Sequence, residues 1–206
     1  MPLIQLLIAD DHSMVRQGLR VMLAEASDIA IVGEARNGEE AIAAARDLRP
    51  DVILMDLNMP GLDGVEATRQ ILREQPAIKI VALTAQVEDD SVVDAVQAGA
   101  TGIWLKATEY EDLVRVIREA NAGGHPVHPD AVPSLMTARR AGGHNKLSDR
   151  EATVLALIGE GLSNRDIADR LSLSEATIKG HVSHILDKLA MKNRAQLALY
   201  AVKRKK

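Results

Sequence analysis

Residues 51–56, DVILMD, are the stretch that decides the fold of this 206-residue chain. Four apolar residues stand between two aspartates, a run that is short for a helix and typical of a strand buried on both faces. Three similar runs each end in a polar side chain: LIQLLIADD at 3–11, KIVALT at 79–84 and TGIWLK at 101–106. Helix-like segments separate the runs, so the pattern predicts a parallel sheet with helices on both faces.

The first 122 residues alternate between predicted strands and predicted helices. We expect strands at 3–9, 30–34, 51–56, 79–84 and 101–105. We expect helices at 13–26, 38–48, 63–75, 88–98 and 108–122, the last one stopped by the glycines at 123–124. Five such units predict an α/β fold with a doubly wound, five-stranded parallel sheet.

Polar side chains at the ends of these strands are predicted to meet in one pocket, because open α/β sheets bind ligands outside the carboxyl ends of their strands. The pocket would hold three carboxylates, a hydroxyl and an ammonium, from Asp10, Asp11, Asp56, Thr84 and Lys106. A Mg²⁺ ion needs only a few protein oxygens because it keeps several waters. Asp11 and Asp56 would supply two of them, and the backbone carbonyl of Asn58 a third.

Asp56 is the predicted nucleophile of this pocket. An aspartate carboxylate can attack a phosphoryl group and form an acyl phosphate, and the turn-rich loop LNMPGLDG at 57–64 would leave Asp56 accessible. Lys106 would balance the phosphoryl charge, and the Thr84 hydroxyl would donate to a phosphoryl oxygen. These residues in this order indicate phosphoryl chemistry at a divalent-cation site.

Charge divides the chain into an acidic and a basic part. Residues 1–123 carry 11 Lys and Arg against 21 Asp and Glu, a net −10, and residues 124–206 carry 14 against 8, a net +6. This asymmetry indicates that the second part alone meets nucleic acid. The absence of cysteine excludes disulfides and thiolate chemistry and suits a reducing cytoplasm. With no apolar run of about 18 residues and no basic segment at the start, we expect neither a membrane span nor a signal peptide.

The basic part has a helix-turn-helix pattern. Three segments, at 147–161, 163–172 and 173–190, each have a serine at the first or second position that can cap a helix. These serines are Ser148, which forms a capping box with Glu151, then Ser163 and Ser174. The third segment has a predicted buried stripe of Ile178, Val182, Ile185 and Leu189. Its opposite face carries Lys179, Gly180 and Ser183, flanked by His181 and His184. The alternative is a small helical bundle with solvated charges.

The acidic part resembles the receiver domain of bacterial response regulators. The matching strings are LIADDHSMVRQGL, DVILMDLNMPGLDGVEA, VALTA and AGATGIWLK, within about residues 3–122. The resemblance implies a flavodoxin-like receiver fold in which a partner sensor histidine kinase phosphorylates Asp56. It also implies that Asp10 and Asp11 hold Mg²⁺, Asp11 more directly, and that Thr84 and Lys106 bind the phosphoryl group.

One position departs from the receiver pattern. The family usually has Tyr or Phe three residues before the lysine, as a rotameric switch coupled to the threonine, and Ile103 stands there in this chain. Alternation along a strand puts the neighbouring Trp104 on the opposite face, so Trp104 cannot replace the missing ring. The switch residues are therefore Thr84 and Ile103, without the usual coupling.

The basic part resembles the LuxR-type helix-turn-helix of NarL/FixJ regulators. The matching string, LSDREATVLALIGEGLSNRDIADRLSLSEATIKGHVSHILDKLAMKNRAQL, lies within about residues 145–202. By this resemblance the last long helix enters the DNA major groove. Residues near the DNA backbone and groove would be Thr177, Lys179 and His181, and those that read bases Lys179, Gly180 and Ser183. Phosphate contacts or structural pairs would come from Lys188, Lys192 and Arg194.

Two small residues depart from this second pattern. Gly180 lies inside the recognition helix, either for close approach to the bases or merely tolerated. Ala190 replaces a frequent glycine, so the backbone there must avoid a positive φ or accept strain. The final helix, RAQLALYAV, dimerises in relatives, and capping the small core is its alternative role.

The leading hypothesis is a DNA-binding transcriptional response regulator of a two-component system, located in the bacterial cytoplasm. Residues 1–123 would form the receiver, 124–144 a linker with a short helix at 130–140, and 145–206 the DNA-binding domain. Phosphorylation of Asp56 would control dimerisation, release of the DNA-binding domain, or both. The partners would be a sensor histidine kinase, double-stranded promoter DNA and a second copy of the chain, with no membrane.

Two other classes of protein stay open. A Mg²⁺-dependent phosphohydrolase would need an acid/base Asp where this chain has Asn58, so no enzyme activity is expected beyond self-phosphorylation and dephosphorylation at Asp56. A DNA-binding protein with a degenerate receiver would dimerise without phosphorylation. The pocket set is complete, which argues against that class: Asp10, Asp11, Asp56, Thr84 and Lys106. The isoleucine at position 103 keeps that class open.

Overall fold

The computed structural model describes residues 3–85, 90–107, 109–140, 147, 149–171, 173 and 175–204. The chain divides into two compact units, Met1–Met136 and Thr137–Lys206. Within the described ranges, every helix is too short or too polar to cross a membrane.

A parallel five-stranded sheet forms the centre of the first unit. Its strands are β1 Ile4–Ala9, β2 Ile29–Ala35, β3 Val52–Asp56, β4 Lys79–Thr84 and β5 Gly102–Leu105. They lie in the order β2-β1-β3-β4-β5. The chain therefore reverses its direction of travel across the sheet between β1 and β3, which opens a crevice at their carboxyl ends. The predicted fold class is confirmed.

Helices follow the strands: α1 Ser13–Leu23, α2 Gly38–Leu48, α3 Gly64–Glu74, α4 Asp90–Gln97 and α5 Tyr110–Asn121. Side-chain caps start two of them, since Asn37 accepts from the N–H of Glu40 and Asp63 from that of Glu66. The predicted extension of the first helix to residue 26 is wrong, because the N–H of Ala26 donates to the Leu23 carbonyl and closes a turn. Residues 88–89 and 108 of two predicted helices lie outside the described residues.

Alternating side chains of the strands form separate cores on the two faces of the sheet. In β1, Leu6 and Ile8 join the cluster under α1 and α5, whereas Leu7 and Ala9 join the cluster under α2 and α3. All four are fully buried. The strands are therefore apolar on both faces, which is why they read as continuous apolar runs rather than alternating ones.

The segment after α5 returns to the sheet. The N–H of Gly124 donates to the Glu119 carbonyl, and Gly123 has φ 86°, so glycines end α5 as predicted. Val127 then pairs in parallel with Ile103 of β5. A 3₁₀ turn at Pro129–Ala131 leads into α6, Val132–Arg140. The sequence predicts a single short helix at 130–140 in this place. Part of the predicted linker thus extends the sheet.

The second unit contains α7 Asp149–Gly159, α8 Asn164–Leu171, α9 Glu175–Lys188 and α10 Arg194–Arg204. Ser163 caps α8 as predicted: its hydroxyl accepts from the Asp166 N–H, and the Asp166 carboxylate accepts from the Ser163 N–H. The predicted caps at Ser148 and Ser174 lie outside the described residues. Ile178, Val182 and Ile185 are buried, but Leu189 is only half-buried because it lies beyond the end of α9.

Ala190 adopts the left-handed conformation after α9, with φ 51°. The N–H of Met191 donates to the Leu186 carbonyl at 2.8 Å, the bond that defines a Schellman cap. Glycine normally occupies this position, since a Cβ there is strained. The sequence left two possibilities at Ala190, a backbone that avoids a positive φ or one that accepts the strain, and the second is observed.

Candidate functional site

Four of the predicted pocket residues lie at the carboxyl ends of neighbouring strands. Asp56 ends β3, Thr84 ends β4, and Asp10 and Lys106 directly follow β1 and β5. The ammonium of Lys106 lies 2.8 Å from Asp10 Oδ2 and 2.6 Å from Asp56 Oδ2. Asp10, Asp56 and Thr84 are each at most 1% exposed. The main chain ties Thr84 to the same place, because its carbonyl accepts from the Lys106 N–H.

Burial and charge act against each other in this pocket. Burial raises the pKa of Asp56 above its usual range, against the hydrogen bonds from Lys106 and from the Asn58 N–H. Burial alone would lower the pKa of Lys106, but hydrogen bonds to Asp10 and Asp56 outweigh it and raise that pKa. Lys106 is therefore held as a cation between two carboxylates.

The acidic residues of the pocket also fit a divalent cation. Asp10, Asp11, His12 and Asp56 each offer a ligand atom within 4.8 Å of the others. One oxygen of each carboxylate in this cluster is buried: Asp10 Oδ2, Asp11 Oδ1 and Asp56 Oδ2. The Lys106 ammonium lies beside the oxygens of Asp10 and Asp56, and His12 Nδ1 lies 2.7 Å from Asp11 Oδ1. Hard oxygens clustered in this way match the ligand preference of Mg²⁺.

The loop after Asp56 lies close to the backbone of β3. The N–H of Asn58 donates to Asp56 Oδ1 at 3.1 Å, which places the Asn58 main chain beside the pocket. The N–H of Gly64 donates to the Leu57 carbonyl, and a Cβ at Gly64 would lie 1.9 Å from the Asp56 carbonyl oxygen. Gly64 was not among the predicted site residues, although the turn pattern of 57–64 gave the signal. Only glycine allows this approach.

Ile103 and Trp104 face opposite sides of β5, as predicted. Ile103 is fully buried in a cluster with Leu57, Val92 and Ala131, and Trp104 lies in the core under α1 and α5. Both main-chain groups of Ile103 are bonded to the segment after α5: its N–H donates to Pro126, and its carbonyl accepts from His128. This contact between the switch position and the predicted linker could not be foreseen from the sequence.

The predicted DNA-facing residues differ in exposure along α9. Lys179 and Ser183 are exposed, and Gly180, His181 and His184 are half-buried. Thr177 is 5% exposed, so its side chain belongs to the interior of the unit rather than to the open face of the helix. Lys179 forms an i,i+4 ion pair of 3.0 Å with Glu175.

Of the three cations that could be phosphate contacts or structural pairs, two form structural pairs. Lys188 Nζ lies 2.8 Å from a carboxylate oxygen of Glu151, which is 2% exposed. Arg194 donates to the Asn164 side chain at 2.6 Å and to the Leu162 carbonyl. Lys192 is exposed. The expectation that Lys188 and Arg194 contact DNA phosphate therefore weakens, because their charged groups already hold helices together.

Comparisons with known proteins assign both units to families. Residues 6–118 match the response regulator receiver domain, and residues 145–201 match the bacterial regulatory proteins of the luxR family. The response regulator protein VraR of Staphylococcus aureus is 42% identical over 200 residues, which cover 96% of each chain. These are families of regulators rather than of enzymes that act on separate substrates.

Solved structures give the same result. The response regulator ChrA of a heme-sensing two-component system is 33% identical, with a TM-score of 0.56 over 100% of this chain and 99% of that one. RcsB from Salmonella enterica serovar Typhimurium, solved bound to promoter rprA in the presence of the phosphomimetic BeF3−, is 28% identical, with a TM-score of 0.60 over 98% and 99% of the two chains. The chain therefore belongs to the response regulators, with a receiver domain followed by a LuxR-type regulatory domain.

Proposed function

We propose that this response regulator is a transcription factor switched by phosphorylation of Asp56. The carrying observation is the position of Lys106, 2.6 Å from Asp56 and 2.8 Å from Asp10 at the open end of the sheet. A partner sensor histidine kinase would supply the phosphoryl group. The protein would work in the bacterial cytoplasm, with residues 1–123 as receiver, 124–144 as linker and 145–206 as DNA-binding domain.

The pocket residues have separate roles in this reaction. The carboxylate of Asp56 attacks the phosphorus, and as the new O–P bond forms the P–N bond to the phosphorylated histidine of the kinase breaks, so that the imidazole leaves with the electron pair. The Lys106 ammonium, which already lies beside Asp56, neutralises the added charge. The Thr84 hydroxyl donates to a phosphoryl oxygen. Asp10, Asp11, Asp56 and the Asn58 carbonyl would hold Mg²⁺, which when bound supplies charge neutralisation at the phosphoryl oxygens.

The buried cluster around Ile103 gives phosphorylation a route to the linker. It contains Leu57, which follows Asp56, and Ala131 of the segment after α5. A rearrangement at Thr84 would reach Ile103 through neighbouring strand ends and then the linker, which is bonded to the Ile103 main chain. Packing against Ile103 would thus take the place of an aromatic rotamer.

DNA binding would use the open face of α9. Lys179, Gly180 and Ser183 would face base edges, and His181 and Lys192 would lie nearer the backbone. The net charge of +6 over residues 124–206 supports this role. Since Thr177 is buried and Lys188 and Arg194 are paired, we expect their contribution to be structural. Activation would favour a homodimer on double-stranded promoter DNA.

Analytical ultracentrifugation of the full chain, with and without phosphoramidate and Mg²⁺, tests the proposal. We expect the wild type to gain one phosphoryl group by intact mass and to shift from monomer to dimer. Asp56→Asn should do neither, whereas Thr84→Ala should take up phosphate without the shift. Equal phosphoryl uptake by Asp56→Asn would overturn the assignment of the acceptor.

A further inference from the structure

Arg16 is an arginine of α1 whose side chain is largely buried. Its side chain is 11% exposed, whereas that of Arg20, one turn later on the same helix, is 63% exposed. Taking a guanidinium out of water is unfavourable unless all its bonds are well placed. The bonds that hold Arg16 therefore indicate what the residue does.

The guanidinium of Arg16 joins two neighbouring strands. Its Nη1 donates to the backbone carbonyl of Asp10 at 2.8 Å, and its Nε donates to Glu34 Oε2 at 3.0 Å. Glu34 belongs to β2, and Asp10 directly follows β1. The planar fork of an arginine can bond both partners in one fixed geometry, which the single ammonium of a lysine cannot do.

The carbonyl that Arg16 holds belongs to the peptide group between Asp10 and Asp11. The N–H of Asp10 already donates to the Ala35 carbonyl, so the bond from Arg16 fixes the other side of the residue. The next turn is fixed in the same way, because the His12 N–H donates to Asp10 Oδ1 at 2.8 Å. The direction of the Asp11 side chain follows from the orientation of that peptide group.

We propose that Arg16 is a positioning residue for the divalent-cation site, an inference that rests on the proposed function. Arg16 holds the Asp10–Asp11 peptide so that the Asp11 carboxylate faces Asp56, and Glu34 orients Arg16. Arg16 bonds a carbonyl rather than the pocket carboxylates, so it sets their geometry and leaves their charge available to the metal. Groups that orient metal ligands from behind typically change metal affinity about 10- to 100-fold when they are removed.

Arg20 provides a matched control on the same helix. Its Nη1 donates to the other oxygen of Glu34 at 3.0 Å, and in the described part of the chain it makes no bond to Asp10. Arg20→Gln thus removes an equal charge and a bond to the same carboxylate. It leaves the Asp10–Asp11 peptide bonded to Arg16.

The test measures Mn²⁺ binding to the full chain by electron paramagnetic resonance of the free ion, beside urea unfolding of each variant. We expect Arg16→Gln to weaken Mn²⁺ binding about tenfold, Arg16→Lys to lie between it and the wild type, and Arg20→Gln to stay within about twofold of the wild type. Arg16→Lys keeps the charge, so it decides the question if Arg16→Gln is unfolded. Asp11→Asn should abolish binding and so establishes that the signal comes from the pocket.

Wild-type Mn²⁺ affinity in folded Arg16→Gln or Arg16→Lys would overturn the positioning role and leave the proposed function intact. Equal losses in the Arg16 and Arg20 variants would also overturn it, because the loss would then follow the charge around Glu34 rather than the bond to Asp10. If the wild type bound Mn²⁺ no better than Asp11→Asn, the cation site itself would be absent, and the proposed function would fail together with this inference.

Discussion

Lys188 and Glu151 form a largely buried ion pair across 37 residues of sequence, with 2.8 Å between the ammonium and a carboxylate oxygen. Glu151 belongs to α7, and Lys188 is the last residue of α9. The pair therefore joins the first helix of the second unit to the proposed recognition helix. A positive charge at the end of the proposed recognition helix is thus engaged within the second unit itself.

Lys188→Gln should lower the stability of the second unit without a direct effect on DNA. Losing one partner of a buried pair leaves a desolvated charge, at a cost of about 3 kcal/mol. Hydrogen exchange at the amides of α7 and α9 measures this loss. The control is the exposed Lys192: Lys192→Gln should keep normal exchange but reduce the salt dependence of DNA binding by about 0.9 in log–log slope. Exchange rates unchanged in Lys188→Gln would contradict the structural role.

Ala190→Gly should stabilise the second unit. The alanine Cβ at φ 51° lowers the free energy of unfolding by roughly 1–2 kcal/mol. Glycine removes this strain, but it also gives the unfolded chain more conformational entropy, which offsets part of the gain. We expect a net gain of about 1 kcal/mol, measured by hydrogen exchange at the end of α9. Gly161→Ala is the reverse control, since Gly161 has φ 84° after α7 and should lose a similar amount. A loss of stability in Ala190→Gly would show that the backbone relaxes around the alanine.

Gly180→Ala separates helix stability from DNA recognition. A Cβ at Gly180 would have no neighbour within 4 Å among the described residues, so alanine should raise helix stability by about 1 kcal/mol. If α9 enters the groove closely, the same methyl should lower promoter affinity, as measured by fluorescence anisotropy. A more stable variant with unchanged affinity would mean that the glycine is merely tolerated.

Gly64→Ala should impair phosphorylation. Its Cβ would lie 1.9 Å from the Asp56 carbonyl oxygen, so the loop after β3 must move away from the acceptor residue. We expect at least a tenfold slower gain of a phosphoryl group from phosphoramidate, about 1.4 kcal/mol in the barrier. Gly18→Ala is the control, because that position on α1 has open space around it. Wild-type rates in Gly64→Ala would show that the loop does not position Asp56.

Glu34 should make stability depend on pH in the acid range. Burial raises its pKa, but the hydrogen bonds from Arg16 and Arg20 outweigh it and hold the pKa below 4.5. A carboxyl with a lowered folded-state pKa stabilises the protein above its unfolded pKa and loses that effect as the pH falls. We therefore compare the unfolding free energies of the wild type and Glu34→Gln, with unfolding followed by the fluorescence of the single Trp104. Their difference should be constant near neutral pH and should shrink below pH 4.5. Parallel profiles throughout would contradict this.

The sequence predicted that these strand-end residues lie together because the signals for it are local. Asp56, Thr84 and Lys106 each end an apolar run, and a parallel sheet brings such ends together whatever the details of packing. The departures from the family patterns were also visible, since Ile103 and Ala190 are single positions in strings that are otherwise matched. The opposite faces of Ile103 and Trp104 follow from the alternation of side chains along a strand. The positive φ at Ala190 did not follow from the sequence, which allowed the backbone either to avoid that conformation or to accept its strain.

Contacts between distant residues were out of reach. The bond from Arg16 to the Asp10 carbonyl and the pair between Lys188 and Glu151 depend on where long side chains end, which spacing does not encode. The pairing of Val127 with Ile103 was hidden because prolines at 126 and 129 are typical of a loop. Each of these contacts joins elements whose approach is set by tertiary packing.

The pairing of Val127 with Ile103 also occupies backbone groups at the outer edge of the sheet. β5 is the last strand of the sheet, and an open edge strand of apolar residues is a template for aggregation. The chain occupies this edge at Ile103 with its own continuation. Gly102 leaves the space for it, since a Cβ there would lie 2.6 Å from the Pro126 carbonyl oxygen. If this segment moved away from β5, the Ile103 N–H and carbonyl would lose their partners at an apolar sheet edge. The contact that joins the segment after α5 to the switch position therefore also reduces the unpaired backbone with which another strand could pair.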